Sequence, residues 1–211
     1  MMDEMAARDA LDVPRETLDR LDAFAAFLRE ENERQNLVSR GTLDAIWVRH
    51  IYDSAQLLRF APTADASWVD LGTGAGFPGL IIAALHGGPV TLVESRKLRV
   101  DFLTRAAEIL GVEDKVDILC TRVETLETLP YAVISARAFA PLPKLLTLGE
   151  KFSSPETVWV LPKGRNAQSE LDAARASWQG RFRVEPSLTD PEAGIIVADG
   201  VRSLKRGNKT R

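Results

Sequence analysis

The chain has 211 residues, of which 45% are hydrophobic, and its formal net charge is −3; this is enough apolar material for the core of a single domain. Its one cysteine, Cys120, excludes an internal disulfide and a cysteine-based zinc site, and with only two histidines present the sequence predicts no metal site. No apolar run approaches the roughly 20 residues that a membrane-spanning helix needs, and the acidic start of the chain lacks the pattern of a signal peptide, so we expect a cytoplasmic protein with no membrane partner.

Residues 1–62 predict a helical extension. Apolar side chains recur at helical spacing over residues 14–34, a segment that begins with a proline. A polar break follows over residues 32–41, and a second amphipathic helix is predicted over about residues 42–60. Two helices are therefore expected before the first strand.

Residues 63–201 predict the core of a sheet, because strand-like and helical segments alternate there. The predicted strands are 67–71, 89–94, 116–120, 132–136 and 157–161, and the predicted helices are 78–86, 96–110, 141–150 and 166–178. This alternation is typical of a parallel, doubly wound sheet. The last two strands, 181–187 and 194–199, are joined by a turn that is too short for a helix, so they predict an antiparallel hairpin at the end of the sheet.

The last ten residues, 202–211, predict a basic tail. They carry five basic side chains and no acid, whereas residues 1–33 carry a net charge of −6. The basic residues are Arg202, Lys205, Arg206, Lys209 and Arg211. Such a tail is either a solvated end of the domain or an arm that contacts phosphate groups, and the sequence leaves both readings open.

A glycine-rich loop over residues 70–79 (Asp-Leu-Gly-Thr-Gly-Ala-Gly-Phe-Pro-Gly) lies between the first predicted strand and the next helix. Residues 74–79 fit G-x-G-x-x-G, the fingerprint of NAD and FAD sites. Residues 70–76 fit an acidic residue, an apolar residue and then G-x-G-x-G, a pattern that favours S-adenosylmethionine (AdoMet). The loop therefore predicts a nucleotide cofactor in one of two registers.

Asp70 favours the AdoMet register, because a carboxylate suits a sulfonium and an ammonium group but repels a pyrophosphate. Glu94 ends the second strand, where an acid accepts hydrogen bonds from ribose hydroxyls in either cofactor class. With the terminal hairpin, these features predict an α/β fold of the class I AdoMet-dependent methyltransferase type. It is a Rossmann-like, mostly parallel sheet with N-terminal helices, in one domain over residues 1–211. A dinucleotide site and a loop without ligand are the alternatives.

Several segments together resemble one protein family. They are 36–39 (Asn-Leu-Val-Ser), 49–54 (Arg-His-Ile-Tyr-Asp-Ser), the glycine loop, 94–97 (Glu-Ser-Arg-Lys), 122–124 (Arg-Val-Glu), 135–140 (Ser-Ala-Arg-Ala-Phe-Ala) and 161–164 (Leu-Pro-Lys-Gly). Over about residues 32–171 the chain resembles the RsmG (GidB) family, bacterial methyltransferases that modify N7 of a guanosine in 16S rRNA. Ala132 departs from the family pattern, which often has an acid ahead of the fourth strand.

The resemblance implies where AdoMet binds. The family contacts map onto Gly72, Phe77, Val123, Glu124 and Arg137, and the glycine-loop reading adds Asp70, Gly74, Gly76 and Glu94. For Phe77, a role as a core anchor is an alternative. Arg137 follows a buried strand, and an arginine there requires an anionic partner, so we assign it to the methionine carboxylate or to the RNA.

The resemblance also implies the substrate, 16S rRNA in the small (30S) ribosomal subunit, and we expect the chain to act as a monomer. N7 of guanine has a free lone pair, so the mechanism needs positioning and no catalytic base; His50, three residues before Asp53, is predicted to have a structural role. The candidate RNA contacts are His50, Arg96, Lys97, Lys163 and Arg165. An NAD-dependent oxidoreductase and a non-enzymatic RNA- or ribosome-binding module are the alternative functions.

Overall fold

The structure is a computed structural model that describes residues 2–204. Four basic residues of the predicted tail lie outside the described residues: Lys205, Arg206, Lys209 and Arg211. Among the residues that the structure does describe, no helix combines the length and the apolar character needed to cross a bilayer.

Seven strands form one sheet. They are β1 (Trp68–Leu71), β2 (Val90–Glu94), β3 (Val116–Cys120), β4 (Val133–Ser135), β5 (Val158–Gly164), β6 (Trp178–Pro186) and β7 (Gly194–Ser203). Their order is β3-β2-β1-β4-β5-β7-β6. The first five strands are parallel, while β7 is antiparallel to both β5 and β6. The mostly parallel sheet with a terminal antiparallel hairpin is confirmed.

Helices cover both faces of the sheet. They are α1 (Glu4–Asp9), α2 (Arg15–Gln35), α3 (Asp53–Ala55), α4 (Gly79–Leu85), α5 (Lys97–Leu110), α6 (Leu142–Gly149) and α7 (Ala167–Ala174). Alternate strand residues face opposite sides, so Trp68 and Leu92 join one core with α2, α4 and α5. Val69 and Trp159 face the other side and pack with α6 and α7. Three layers therefore enclose two apolar cores.

The place of β1 in the strand order determines where the site lies. From β1 the sheet extends to β2 and β3 on one side and to β4 and β5 on the other. The strand order reverses at β1, and in open α/β sheets a crevice forms at the carboxyl ends of the strands at such a point. The glycine loop leaves β1 at this crevice.

The segment between α2 and β1 is less regular than the single helix predicted for residues 42–60, and that prediction is wrong. It consists of a 3₁₀ turn (Arg40–Ala45), a π-helical turn (Trp47–Tyr52), α3 and a second 3₁₀ turn (Gln56–Phe60). The Ser54 hydroxyl donates to the carbonyl of His50 at 2.6 Å, so a side chain competes with the backbone for hydrogen bonds. The Glu4 carboxylate accepts from the N–H groups of Trp47 and Val48.

The predicted helix 166–178 is too long, because α7 ends at Ala174 and Trp178 begins β6. Further differences from the sequence predictions lie at the two ends of the chain. Helix α1 was not predicted, because it has only six residues. It begins at the N-cap Asp3, whose side chain accepts from the N–H of Ala6 at 2.8 Å. The hairpin strands are longer than predicted, and β7 continues through Arg202 and Ser203. The first two residues of the predicted tail therefore belong to the sheet.

Candidate functional site

The glycine loop turns sharply after β1. Gly72, Gly74 and Gly76 have positive φ angles of 67°, 62° and 85°, a region that residues with a β-carbon rarely adopt. A methyl group added at Gly72 would overlap the ring of Phe139, and one added at Gly79 would overlap Leu92 of the sheet. Gly72 is therefore required by a close approach at the crevice, and Gly79 by the packing of α4 on β2.

Asp70 lies beneath the loop. Its side chain is fully buried, and its two carboxylate oxygens accept from the N–H of Gly79 at 3.0 Å and from the hydroxyl of Ser135 at 2.8 Å. Burial raises the pKa of this carboxyl, and these donors partly offset that effect. The predicted contact of Asp70 with the cofactor stays a prediction. In the structure its carboxylate fixes the start of α4 and the neighbouring strand β4.

A cavity of about 390 Å³ opens beside the loop, and we call it the glycine-loop cleft. It brings together four predicted cofactor residues from three strand ends: Gly72, Glu94, Val123 and Glu124. Arg96, which was predicted to contact RNA, also lines this cleft. Of the other predicted cofactor residues, Gly74 and Gly76 form the loop itself.

Glu94 is held in place at the end of β2. One carboxylate oxygen accepts from the N–H of Arg96 at 2.9 Å, and the other lies 3.6 Å from the guanidinium of Arg99. Arg99 was not among the predicted residues, although it stands on the first turn of α5, two residues after the Glu-Ser-Arg-Lys motif. The Glu94 carboxylate remains at the cleft as a fixed hydrogen-bond acceptor.

A 3₁₀ turn (Val123–Thr125) follows β3 and forms the opposite side of the cleft. The Val123 side chain is buried in the core, while Glu124 is exposed. The ammonium of Lys151 donates to the carbonyl of Glu124 at 3.0 Å and to that of Leu126 at 2.6 Å, which anchors the turn.

A second cavity, of about 620 Å³, lies next to the cleft, and we call it the hairpin pocket. Its walls are the irregular segment before β1, the segment after β4 and the loop between β6 and β7. Of the predicted site residues, His50, Arg137 and Lys163 line it. The structure thus divides the predicted site between two neighbouring cavities.

His50 is neutral in this pocket. Arginine can only donate hydrogen bonds, so Nδ1 of His50 accepts from the guanidinium of Arg137 at 3.1 Å, and Nε2 donates to the Thr42 hydroxyl at 2.8 Å. Burial, together with the charges of Arg137 and Arg49, lowers the pKa of His50 to about 3. Its basic lone pair is occupied, so this arrangement suits a structural group and not a proton acceptor.

Arg137 is fixed by several partners. Its guanidinium donates to the carbonyl of Arg49 at 3.2 Å and lies 3.5 Å from the Asp53 carboxylate. It also lies over the ring of Phe77, at 5.0 Å from the ring centre. Phe77 is 2% exposed, stacks on His50 with a centroid distance of 4.9 Å, and lines neither cavity. The structure places Phe77 in the core, as the alternative reading expected, and its contact with a cofactor stays a prediction.

Asp53 connects the hairpin loop to the rest of the pocket. One oxygen of its carboxylate accepts from the hydroxyl of Thr189 at 2.7 Å and from the amide of Gln56 at 2.9 Å. Arg49 forms an ion pair with Asp190 at 3.1 Å. Arg49 and Asp53 were not among the predicted site residues, because their partners Asp190 and Thr189 are more than 130 residues away along the chain.

The predicted RNA contacts are not gathered in one place. The Lys163 side chain is 8% exposed, and its ammonium donates to the carbonyl of Ala140 at 2.9 Å and pairs with Glu170 at 3.0 Å, so it supports the pocket wall; its contact with RNA stays a prediction. Arg165 is exposed and pairs with Glu192. Lys97 lies at the start of α5, in a third cavity that shares Arg96 and Arg99 with the glycine-loop cleft.

The rim of the glycine-loop cleft is basic. Arg96, Arg122 and Lys144 line the cleft and are exposed, and Arg99 is half-buried among them. Within residues 2–204, no three His, Cys, Asp or Glu side chains are grouped as a metal site. The crevice therefore offers backbone turns, one fixed carboxylate and a positively charged rim.

A family model described as GidB, rRNA small subunit methyltransferase G, matches residues 17–190. A ribosomal RNA small subunit methyltransferase G of Rhizorhabdus wittichii is 50% identical over 214 residues, which cover 100% of this chain and 99% of the relative. The protein of the same name from Novosphingobium aromaticivorans is 55% identical over 193 residues, 90% of this chain and 84% of the relative.

Solved structures share the fold at low sequence identity. An O-methyltransferase from Bacillus cereus in complex with SAH matches with a TM-score of 0.61 and 17% identity, over 93% of this chain and 96% of that one. The O-methyltransferase TomG from Streptomyces achromogenes in complex with SAM matches with a TM-score of 0.60 and 14% identity, over 94% and 99% of the two chains. The fold is that of class I methyltransferases.

Proposed function

The chain belongs to the rRNA small subunit methyltransferase G family, and on that premise we propose that it transfers a methyl group from AdoMet to N7 of a guanosine in 16S rRNA. The observation that carries the proposal is the pair of cavities at the carboxyl ends of the strands. The glycine-loop cleft and the hairpin pocket meet at residues 138–140, which line both. One cavity suits a methyl donor and the other an acceptor base.

The residues of the glycine-loop cleft fit AdoMet, which supplies a methyl group activated by its sulfonium. The carboxylate of Glu94 is fixed at the end of β2, where ribose hydroxyls are bound in such folds. The turn at Val123 and Glu124 lies across the cleft and would hold the adenine. At Gly72 an added methyl group would overlap the Phe139 ring, and the absence of a side chain there would let the backbone approach the methionine part.

The hairpin pocket fits an acceptor that needs no deprotonation. N7 of guanine attacks with its own lone pair, so positioning and a tolerant electrostatic environment are sufficient. His50, which lines the pocket, has its lone pair occupied by Arg137. An acceptor such as a hydroxyl would require a base, and the neutral, hydrogen-bonded His50 is poorly suited to that task.

The basic rim suits the phosphates of the RNA. Arg96, Arg122 and Lys144 surround the mouth of the glycine-loop cleft, and an overall acidic protein needs a local patch of this kind to bind a polyanion. N7 lies in the deep major groove of A-form RNA. The target guanine therefore has to lie in a loop or distorted helix, or be flipped out of its stack.

The decisive experiment measures methyl transfer from radiolabelled AdoMet to 16S rRNA, both naked and in 30S subunits, prepared from cells that lack this protein. We expect label in the RNA and 7-methylguanosine in its nuclease digest by mass spectrometry. Calorimetric titration with S-adenosylhomocysteine and with NADH tests the cofactor, and we expect binding of the first alone. Binding of NADH alone, or no methyl transfer to any of these RNA substrates, overturns the proposal.

A further inference from the structure

Residues 138–140 separate the two cavities. They are the three residues, among those that the structure describes, that line both the glycine-loop cleft and the hairpin pocket. A methyl group that passes from one cavity to the other has to pass this segment. The ring of Phe139 occupies the boundary, because it lies against Gly72 on the cleft side.

The backbone that carries Phe139 is fixed on both sides. The carbonyl of Ala140 accepts from the buried ammonium of Lys163 at 2.9 Å, and Lys163 is in turn paired with Glu170. On the other side, Arg137 is bound to His50. Between them Ala138 has a φ of 52°, a left-handed conformation that an alanine adopts only when its surroundings impose it. The surrounding contacts thus hold Ala138 in a strained conformation, and this conformation places the Phe139 ring at the boundary.

Phe139 is the aromatic ring available for stacking. Among the described residues that line the two cavities, the other aromatic side chain is His50, whose ring is stacked on Phe77 and hydrogen-bonded at both nitrogens. Phe139 is only half-buried. Both of its neighbours are alanines, so small side chains flank the ring and leave room for a planar group in the hairpin pocket.

We propose that Phe139 is the ring on which the target guanine stacks in the hairpin pocket. This inference deepens the proposed function and rests on it. The lone pair of N7 forms the new bond to the methyl carbon as the carbon–sulfur bond breaks. The electron pair of the broken bond stays on sulfur, the purine takes the positive charge, and no proton moves. An aromatic face attracts a cation, so the ring of Phe139 interacts more strongly with the charged product than with the neutral guanine.

The test compares Phe139→Leu, which keeps an apolar side chain without a π-face, with Phe139→Tyr, which restores the ring. Base stacking on an aromatic side chain accounts for about a 10- to 100-fold effect. We expect Phe139→Leu to lower kcat/KM for 16S rRNA by that factor, with S-adenosylhomocysteine affinity within about threefold of the wild type, and Phe139→Tyr to stay within about fivefold in kcat/KM. Phe60→Leu, at a half-buried ring that lines neither cavity, is the matched control and should keep wild-type activity.

The outcomes separate this inference from the function on which it rests. Wild-type protein that methylates no 16S substrate defeats the proposed function. Active wild-type protein together with a Phe139→Leu variant of equal kcat/KM defeats the stacking role alone. If Phe139→Leu and Phe139→Tyr lose kcat/KM equally while both still bind S-adenosylhomocysteine, the side chain acts through its shape and the stacking role is likewise overturned.

Discussion

Acidification should destabilise this protein through His50. The side chain is neutral in the folded state, where its pKa is lowered to about 3, chiefly by burial and further by Arg137 and Arg49. In the unfolded chain its pKa returns to about 6.5. Below pH 6.5 the unfolded state therefore binds a proton that the folded state cannot, and folding stability falls until the pH reaches about 3.

The magnitude follows from the difference between the two pKa values. At pH 7 the unfolded histidine is mostly neutral, so its protonation stabilises the unfolded state little. Below pH 6.5, each further pH unit stabilises the unfolded state by about 1.4 kcal/mol. The free energy of unfolding should thus fall by about 2 kcal/mol between pH 7 and pH 5 from this residue. His50 is 7% exposed, so solvent screening reduces this effect little.

The assay is urea unfolding at pH 7 and pH 5 for the wild type and for His50→Gln. The variant removes the titrating group, so the loss of stability between the two pH values should be about 2 kcal/mol smaller than in the wild type. Carboxyl groups that titrate in the same range contribute equally to both proteins and cancel in the comparison. Equal pH dependence in the two proteins would falsify the neutral, buried state of His50.

Three further substitutions test the two cavities. Asp53→Asn keeps an acceptor for Thr189 and Gln56 but turns an amide toward Arg137; we expect unfolding by urea to show a loss of about 2 kcal/mol and methyl transfer to fall at least about tenfold, whereas Thr189→Val should cost about 1 kcal/mol. Unchanged stability and rate in Asp53→Asn contradict a stabilising role for the ion pair between Asp53 and Arg137. Gly72→Ala places a methyl group on the Phe139 ring at a positive φ, so calorimetry should show at least about tenfold weaker binding of S-adenosylhomocysteine. Gly41→Ala, where an added methyl meets nothing within 4 Å, is its control, and equal binding by both variants refutes the close approach. Glu94→Gln replaces the fixed carboxylate by a weaker acceptor, so the same titration should show about tenfold weaker binding, with exposed Glu127→Gln as control; full affinity in Glu94→Gln excludes the ribose contact.

Local sequence patterns determined the sheet correctly. The apolar runs of β1 to β5 recur between helical segments, and that spacing permits only crossover connections between parallel strands. The turn before Gly194 is too short for such a crossover, and it therefore predicted the antiparallel hairpin. These features depend on neighbours in the chain, which is why they could be read without coordinates.

The irregular segment before β1 could not be predicted in this way. Its apolar residues have helical spacing, yet the Ser54 hydroxyl and the distant Glu4 carboxylate take backbone hydrogen bonds that a regular helix would use. The surroundings of the candidate charges could not be predicted from the sequence for the same reason. Lys163 and Arg165 look alike in sequence, but Lys163 is buried against Ala140 and Glu170 whereas Arg165 lies at the surface.

The sequence by itself determined the succession of strands and helices along the chain, the glycine loop and the family that its motifs indicate. Only the tertiary structure decided which partners each side chain has. The Asp70 carboxylate accepts from the N–H of Gly79 beneath the loop, Nδ1 of His50 accepts from Arg137, and Phe139 lies between the two cavities. The physical reason is that burial and hydrogen-bond partners set the chemistry of a polar side chain. Those partners come from segments that are far apart in the sequence.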